Sequence, residues 1–305
     1  MGKVIAIGQA VLDVVFSGNT PVKAFAGGRI ANMAASLGKM GVSTEYVSEC
    51  ATDAPGDAVV EFLRSNHVGT ASVDRFTEGQ SQVSLVFRDG NGNERYSCYS
   101  NYPPTRFDVL WPHIDEGDIV VFGSDLSIEA SLRKPLLELL EYARERKAVT
   151  IYLPGFRPEL CSRITRVMPS ILENLEFADI VMARESDMLK IFGKSDPEEC
   201  YDEHISFYCR NFVFTSGNLD IYLRTQSEKL RIEHTSHVPA NMLGWNASFC
   251  AGFVKGLLDS EASHRPDNLG SDDLRRIVEL ATACAADSIT TGENVVSEEF
   301  VKTLK

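Results

Sequence analysis

The sequence predicts an α/β fold in which a mostly parallel sheet is covered by helices on both faces. Two observations support this fold class. Short apolar runs typical of buried strands alternate along the chain with stretches of helical spacing. The strict alternation of half-buried antiparallel strands is confined to two segments, which suit inserts. Because 305 residues can bury one large core, we expect residues 1–305 to form a single domain.

The predicted parallel strands are short apolar runs, of which the first covers residues 4–7 and ends at Gly8. Runs of the same kind predict further strands at residues 118–123, 148–153, 179–183 and 211–216.

The predicted helices show apolar residues three and four positions apart. The stretch 30–40 has this spacing, and Gly41 suits its C-terminal cap. In the stretch 127–146, Pro135 should bend the helix or delay its start. The same spacing predicts helices at residues 55–66, 158–175, 185–192, 244–259 and 272–289.

The two alternating segments predict antiparallel hairpins. Residues 82–100 alternate on both sides of the turn-forming run 89–93, and residues 220–224 and 229–234 form a second pair. A hairpin is out of place inside a parallel sheet. We therefore expect a small β lid built from inserts at about 14–26 and 82–106.

Composition narrows the possible functions. A net charge of −13 argues against nucleic acid as a partner, and no apolar run reaches transmembrane length. The seven cysteines form no C-x-x-C pair and the histidines show no metal-binding spacing, so we expect reduced thiols, a cytoplasmic protein and no metal site from such motifs. The phosphate loop, the dinucleotide fingerprint and the hydrolase elbow are absent.

A group of residues near the N-terminus suits a ligand rich in hydroxyl groups. Gly27 and Gly28 let backbone amides approach a ligand closely, and Asn32 offers both a donor and an acceptor. Asp13 can accept hydrogen bonds from two neighbouring hydroxyls. Each residue alone would be read as a turn, a helix start or an exposed acid, but their combined spacing favours a binding site.

These segments and the run 241–253 resemble the ribokinase/PfkB carbohydrate kinase family over essentially the whole chain. The signature G-G-x-x-x-N-x-A is the most specific match. The resemblance implies a ribokinase-like three-layer α/β/α sandwich with a small β lid. It also implies a sugar or nucleoside held by Asp13, Gly27, Gly28 and Asn32, the cofactors ATP and Mg²⁺, and a homodimer that pairs through the lid.

The run 241–253 departs from the family motif D-T-x-G-A-G-D-x-F where the chemistry is done. Ala247 stands at the position of the general base, and a methyl group cannot accept a proton. Gly244 is retained in the anion hole. Trp245 and Asn246 replace small residues there, and we expect Trp245 to fill the space of a γ-phosphate.

The nucleotide side departs in the same way. The family's D-P-N-x-R motif keeps only Pro154 and Arg157, and its N-x-x-E motif becomes Arg184 to Asp187. An arginine cannot be a magnesium ligand. The motif T-x-G-x-x-G keeps Thr215 and Gly217 but ends in Asp220, a charge unsuited to phosphates.

These departures leave three hypotheses. The chain is a family member with weak or lost catalysis that binds a sugar, nucleoside or nucleotide for regulation. Alternatively, it is a working kinase that relies on positioning and charge neutralisation. The third hypothesis is a dimeric interaction protein with a vestigial pocket. The identity of the substrate is not readable from the sequence.

Overall fold

The computed structural model describes residues 2–88, 94–234, 244–260, 265–292 and 294–304. In chain order, the described strands are β1 (Val4–Ile7), β2 (Val11–Ser17), β3 (Thr20–Gly27), β4 (Thr44–Ala51), β5 (Val68–Gly69), β6 (Val73–Phe76), β7 (Gln80–Arg88), β8 (Glu94–Asn101), β9 (Ile119–Gly123), β10 (Val149–Leu153), β11 (Ile180–Arg184), β12 (Asn211–Thr215), β13 (Ile221–Arg224) and β14 (Lys229–Ile232). The described helices are α1 (Arg29–Lys39), α2 (Ala54–Ser65), α3 (Arg133–Glu145), α4 (Ile164–Phe177), α5 (Glu185–Phe192), α6 (Pro197–Cys200), α7 (Trp245–Asp259), α8 (Ser271–Thr291) and α9 (Glu298–Thr303).

The main sheet is mostly parallel. Among the described residues its strand order is β14-β13-β12-β11-β10-β9-β1-β4-β5, and β6 pairs with β4. The pairs from β12 to β5 are parallel, whereas β13 and β14 add antiparallel strands at one edge. This arrangement agrees with the predicted fold class.

Helices cover both faces of the main sheet, so that the structure has three layers. Strand β1 shows the pattern, because Val4 and Ala6 join one buried apolar cluster whereas Ile5 and Ile7 join the other. The first cluster contains residues of α1, α2, α7 and α8, and the second contains residues of α3, α4 and α5. A strand buried on both faces reads as a continuous apolar run, which is why the sequence revealed it.

A second, four-stranded sheet has the order β3-β2-β7-β8. Its hairpin β7/β8 is antiparallel, as predicted for residues 82–100, although the predicted turn 89–93 lies outside the described residues. The inserts expected at 14–26 and 82–106 overlap these four strands. That the second sheet acts as a lid stays a prediction.

The delayed helix start expected from Pro135 in the stretch 127–146 is confirmed. The 3₁₀ turns Asp125–Ile128 and Ala130–Leu132 precede α3, and Pro135 lies in the first turn of α3. Strand β4 was not predicted at all. It is buried along nearly its whole length and yet carries Ser48 and Glu49, whose polarity hides its strand character in the sequence.

Among the described helices, none combines the length and the apolar character needed to cross a membrane.

Candidate functional site

The parallel strands of the main sheet place their carboxyl ends at one edge. In open α/β sheets, ligands bind at this edge. The predicted site residues end or follow β10, β11 or β12, lie in the second sheet, or belong to the N-terminal caps and first turns of α1, α5 and α7. The predicted residues therefore lie at the carboxyl edge of the main sheet. Residues 241–243 of the family motif lie outside the described chain.

Asp13 and Gly27 form the part of the site nearest the second sheet. Strands β2 and β3 pair side by side, and Asp13 lies opposite Phe25. A Cβ atom at Gly27 would overlap the Asp13 carboxylate. Only glycine leaves room for this carboxylate in its half-buried position.

Gly28 and Asn32 open helix α1. Gly28 has a φ of 101°, and a Cβ atom on it would lie 2.9 Å from the carbonyl oxygen of Gln9. Asn32 is 7% exposed, and its Oδ1 atom has no hydrogen-bond partner among the described residues. A buried oxygen without a partner is costly, so Asn32 suits a ligand that donates a hydroxyl hydrogen bond.

Helix α7 begins where the sequence predicts. Gly244 caps it in the left-handed conformation, with a φ of 86° that favours glycine. The ring of Trp245 is buried and stacks on Phe249 with 4.9 Å between ring centroids. The ring thus belongs to the apolar core, and its predicted effect on a phosphate stays a prediction. Asn246 is half-buried.

Ala247 is buried in the first turn of α7, at 4% exposure. Cys250 lies three residues further on and shares its face of the helix. Burial raises the pKa of the Cys250 thiol to about 12, and the charges of Arg29, Arg184 and Asp187 also act on it. These three charged groups therefore lie beside the helix face that carries Ala247.

Asp187 is completely buried and is held by two arginines. The Arg184 guanidinium donates from Nε to Oδ2 at 3.0 Å and from Nη2 to Oδ1 at 2.8 Å. Arg29 donates from Nη1 to Oδ2 at 3.3 Å. The predicted pair Arg184 and Asp187 thus meets, and Arg29 completes a cluster with one more positive than negative charge.

The two arginines determine the protonation of Asp187. Burial alone would raise the pKa of this carboxyl, but the charges of Arg184 and Arg29 outweigh burial and hold the pKa well below its usual range. Asp187 is therefore an anion at any physiological pH. A carboxylate with so low a pKa is a poor proton acceptor.

Thr215 is the last residue of strand β12, and Gly217 lies two residues after it. Thr215 lies opposite Arg184 in the parallel register of β11 and β12. The backbone N–H of Gly217 donates to Oε2 of Glu185 at 2.6 Å. The Gly217 N–H is therefore already hydrogen-bonded to a carboxylate of the chain itself.

A cavity of about 300 Å³ borders this turn and is lined in part by Glu185, Asp196, Asp220 and Arg231. Asp220 accepts a hydrogen bond from the backbone N–H of His234 at 2.8 Å. Three carboxylates and one arginine give this cavity an acidic wall, which disfavours an anionic ligand.

Arg157 lies apart from Arg184, in the wall of a larger cavity of about 500 Å³. It forms an ion pair with Asp125. Gly155, which precedes it, has a φ of 57°, and a Cβ atom there would lie 2.9 Å from Oγ of Ser124. The large cavity lies between the carboxyl end of β4, the second sheet and the start of α4.

Sequence reasoning missed Arg29 and Glu185. Arg29 is the first residue of α1, where a positive charge opposes the helix dipole. A cation at such a position signals a specific acidic partner. Glu185 directly follows Arg184 and gives no comparable signal in the sequence. In the described part of the chain, no three His, Cys, Asp or Glu side chains are grouped so that they could hold a metal ion.

The structure defines an α/β protein with a candidate small-molecule site at the carboxyl edge of its parallel sheet. The family follows from comparison with known sequences. Residues 1–299 match the model of the pfkB family carbohydrate kinases, and the chain belongs to that family.

Individual relatives are distant. A probable fructokinase-7 of Arabidopsis thaliana is 24% identical over 275 residues, which cover 87% of this chain and 78% of that protein. The crystal structure of a fructokinase from Vibrio cholerae O395 with fructose, ADP and calcium ion has a TM-score of 0.84 and 17% identity, with coverage of 100% and 99%. Aminoimidazole riboside kinase from Salmonella enterica, complexed with its riboside and an ATP analog, has a TM-score of 0.82 and 16% identity, with coverage of 99% and 98%. These structures share the fold.

Glu49 in the large cavity provides a test of the described electrostatics. Burial raises the pKa of its carboxyl from the ordinary 4.5 to about 7, against the opposing charge of Arg106 and with the help of Asp74 and Glu129. The folded state therefore binds this proton more tightly than the unfolded state. The resulting stabilisation is complete below about pH 4.5 and disappears as the pH rises to about 7.

We expect Glu49→Gln to remove this dependence. The free energy of unfolding of the variant, relative to the natural protein, should rise by up to about 3 kcal/mol between the two pH values and stay constant above them. Urea denaturation at a series of pH values measures the difference. Glu61→Gln is the control, because this glutamate is exposed on α2 and is not among the charges that act on Glu49. Parallel pH curves for Glu49→Gln and the natural protein would contradict the assignment.

Proposed function

We propose that the protein binds a sugar or nucleoside through Asp13, Gly28 and Asn32, and that it transfers phosphoryl groups weakly or not at all. The unpartnered Oδ1 atom of Asn32 supports the binding half. Family membership supports the ligand class, since carbohydrate kinases bind polyhydroxylated molecules. Without phosphoryl transfer, the protein would bind its sugar or nucleoside for a regulatory purpose.

The observation that carries the catalytic half is the buried methyl group of Ala247 at the start of α7. By family resemblance this position holds the general base. General base catalysis typically contributes about 10²–10⁴-fold to a rate. Removal of the base therefore predicts a severe defect even if the ligand still binds.

Asp187 of α5 is the candidate for a substitute base, because its charge acts on Cys250, which shares helix α7 with Ala247. Its two arginine partners argue against this role. They stabilise the anion so strongly that it has little tendency to take a proton at neutral pH. The proposed role of Asp187 is therefore to hold Arg29 and Arg184 in place at the sheet edge, and not to accept a proton.

The nucleotide side supports the same proposal. ATP with Mg²⁺ would need free backbone amides and carboxylates available to the metal. Glu185 already accepts the Gly217 N–H, and Asp187 is bound by Arg29 and Arg184. These residues do not fit a magnesium–ATP complex held in the family's manner.

A working ATP-dependent kinase is the second candidate. The start of α7 favours it, because Gly244 keeps its left-handed cap and the helix N-terminus still offers backbone N–H groups to an anion. Phosphoryl transfer depends largely on positioning and charge neutralisation. This candidate requires that a nucleotide displace Glu185 from Gly217.

The two candidates differ in the rate of phosphoryl transfer. We expect the purified protein with ATP and Mg²⁺ to phosphorylate fructose, ribose or adenosine at least about 10²-fold more slowly than a family kinase measured in parallel. Ala247→Asp should raise the rate, because it restores a proton acceptor. Ala247→Asn, which has the same size but is no base, should not. Coupled detection of ADP measures all three proteins.

Binding is measured separately, by thermal shift with the same sugars and nucleoside. Ligand binding to the native state must raise the melting temperature. Asn32→Ala should lower the affinity about tenfold, because one hydrogen bond to the ligand is lost, and should change the stability of the free protein little. Ordinary kinase rates in the natural protein would refute the catalytic half. Absence of any stabilisation by ligands would refute the binding half and favour the interaction protein.

We also propose a homodimer that pairs through the second sheet. Support comes from Val22 and Tyr99 of this sheet, whose exposures of 59% and 61% are high for large apolar groups. Size-exclusion chromatography with light scattering should give twice the chain mass, and Val22→Asp with Tyr99→Asp should give a monomer. Phe207→Asp is the control, because this exposed residue lies outside the sheet. A monomeric natural protein would contradict this proposal.

We propose a cytoplasmic location on the basis of the cysteines. All seven are free, and five of them are buried. Free buried thiols are typical of a reducing compartment. Recovery of the protein in the soluble cytoplasmic fraction of its cells would agree, and recovery outside the cell would not.

A further inference from the structure

The smaller cavity, of about 300 Å³, lies at the antiparallel edge of the main sheet. Phe214 of β12 lies opposite Tyr222 of β13, which in turn lies opposite Arg231 of β14, so the three side chains share one face of the sheet. All three line the cavity and form its floor. Its volume is at the lower end of the range of small-molecule sites, which is roughly 300–1,000 Å³.

This cavity borders the turn at Gly217 but lies on the other face of β12 from Thr215. Successive side chains of a strand point to opposite faces, so Thr215 points away from the face that carries Phe214. Phe214 and Tyr222 belong to the apolar cluster that contains residues of α5, whereas Ala247 belongs to the other cluster. The cavity is therefore separate from the predicted catalytic position.

The charged groups that line the cavity are mostly acidic. They are the carboxylates of Glu185, Asp196 and Asp220 and the guanidinium of Arg231. None of these four groups forms an ion pair within the described part of the chain, so the negative charge of the wall exceeds its positive charge. Oδ2 of Asp196 and Oε1 of Glu185 accept no hydrogen bond from a described residue, since the other oxygen of each carboxylate takes the backbone N–H groups.

Tyr222 contributes a buried hydroxyl group without a partner. The residue is 4% exposed and lines the cavity, and its hydroxyl forms no hydrogen bond with any residue that the structure describes. A buried polar group of this kind costs free energy unless a ligand or water bonds to it. The ammonium group of Lys229 lies 5.9 Å from the centroid of the ring, but Glu198 pairs with it at 2.8 Å. The charge of Lys229 is therefore already matched and does not neutralise the wall.

We propose that this cavity binds a small organic ammonium ion. Its ammonium groups donate hydrogen bonds to the free oxygen atoms of Asp196 and Glu185 and to the Tyr222 hydroxyl. Hydrogen bonds from an ammonium group to carboxylates are among the strong ones, because both partners are charged. The rings of Phe214 and Tyr222 on the floor pack against the carbon chain, which suits an organic cation better than a bare metal ion.

The test compares probes that share a four-carbon chain. Isothermal titration calorimetry of the full chain at low salt uses 1,4-diaminobutane, 4-aminobutyrate and the uncharged 1,4-butanediol. We expect at least one ammonium probe to bind about tenfold or more tightly than the diol, with an affinity that falls as salt is added. Tighter binding of 4-aminobutyrate identifies a zwitterion, whose carboxylate binds Arg231. Tighter binding of the diamine identifies a polyamine.

Removal of one charge locates the binding. Asp196→Asn should weaken the ammonium probe about tenfold or more and leave the diol unchanged. The fold should tolerate this change, because Asp196 caps α6 and asparagine is an equally favoured cap. The matched control is Asp272→Asn, an exposed aspartate at the start of α8 on the other face of the sheet. This variant should bind like the natural protein.

Tyr222→Phe tests the hydroxyl group by two measurements. The variant should bind the ammonium probe severalfold more weakly, because one acceptor is lost. Its melting temperature without ligand should not fall, because the removed hydroxyl has no partner within the described chain. A hydroxyl that only stabilises the fold would give the opposite pair of results.

Three results would overturn the proposal. They are no tighter binding of either ammonium probe than of the diol, no loss of affinity in Asp196→Asn, and a lower melting temperature of ligand-free Tyr222→Phe. The proposal goes beyond the proposed function, because Asp13, Asn32 and Ala247 do not line this cavity. A loss of sugar binding in Asn32→Ala bears on the proposed function alone, so a failure of one proposal is distinguishable from a failure of the other.

Discussion

The burial of Asp187 between two arginines is the constraint on which the edge of the sheet depends. A carboxylate without access to water is tolerated only when its charge and its hydrogen bonds are matched. Arg184 provides two of these bonds from the end of β11, and Arg29 provides a third from the start of α1. The contact therefore fixes α1 against the opposite half of the sheet. Because α1 also carries Asn32, the position of the predicted sugar site depends on this ion pair.

The same contact bears on the proposal that binding and chemistry are separated at this edge. The proposed sugar binding rests on hydrogen-bonding groups at the second sheet and α1, namely Asp13, Gly28 and Asn32. The proposed loss of phosphoryl transfer rests on Ala247 at the position expected for the base, on the pairing of Asp187 with Arg184 and on the hydrogen bond from the Gly217 N–H to Glu185. A fold can retain one of these capacities without the other, since function depends on the site rather than on the architecture.

Most of the fold could be predicted from the sequence because strands such as β1 are buried on both faces and read as unbroken apolar runs. Strand β4 could not, because Ser48 and Glu49 interrupt its pattern. Prediction of secondary structure from sequence patterns fails most often at functional sites, and Ser48 and Glu49 line the large cavity. Arg184 and Asp187 could be placed by their motif, but the third member of their cluster could not. Arg29 is distant in sequence and meets them only in the folded chain.

The second sheet is joined to the main body at closely spaced points. Strand β2 follows β1 after only residues 8–10, and β3 runs into α1 through Gly28. Asp13 belongs to the sheet, whereas Asn32 belongs to the body. Any tilt of the four strands about these short junctions would change the distance between the carboxylate and the amide. In the proposed site, the angle of that sheet therefore sets the distance between the Asp13 carboxylate and the Asn32 amide, and with it the spacing of the hydroxyl groups that the site would accept.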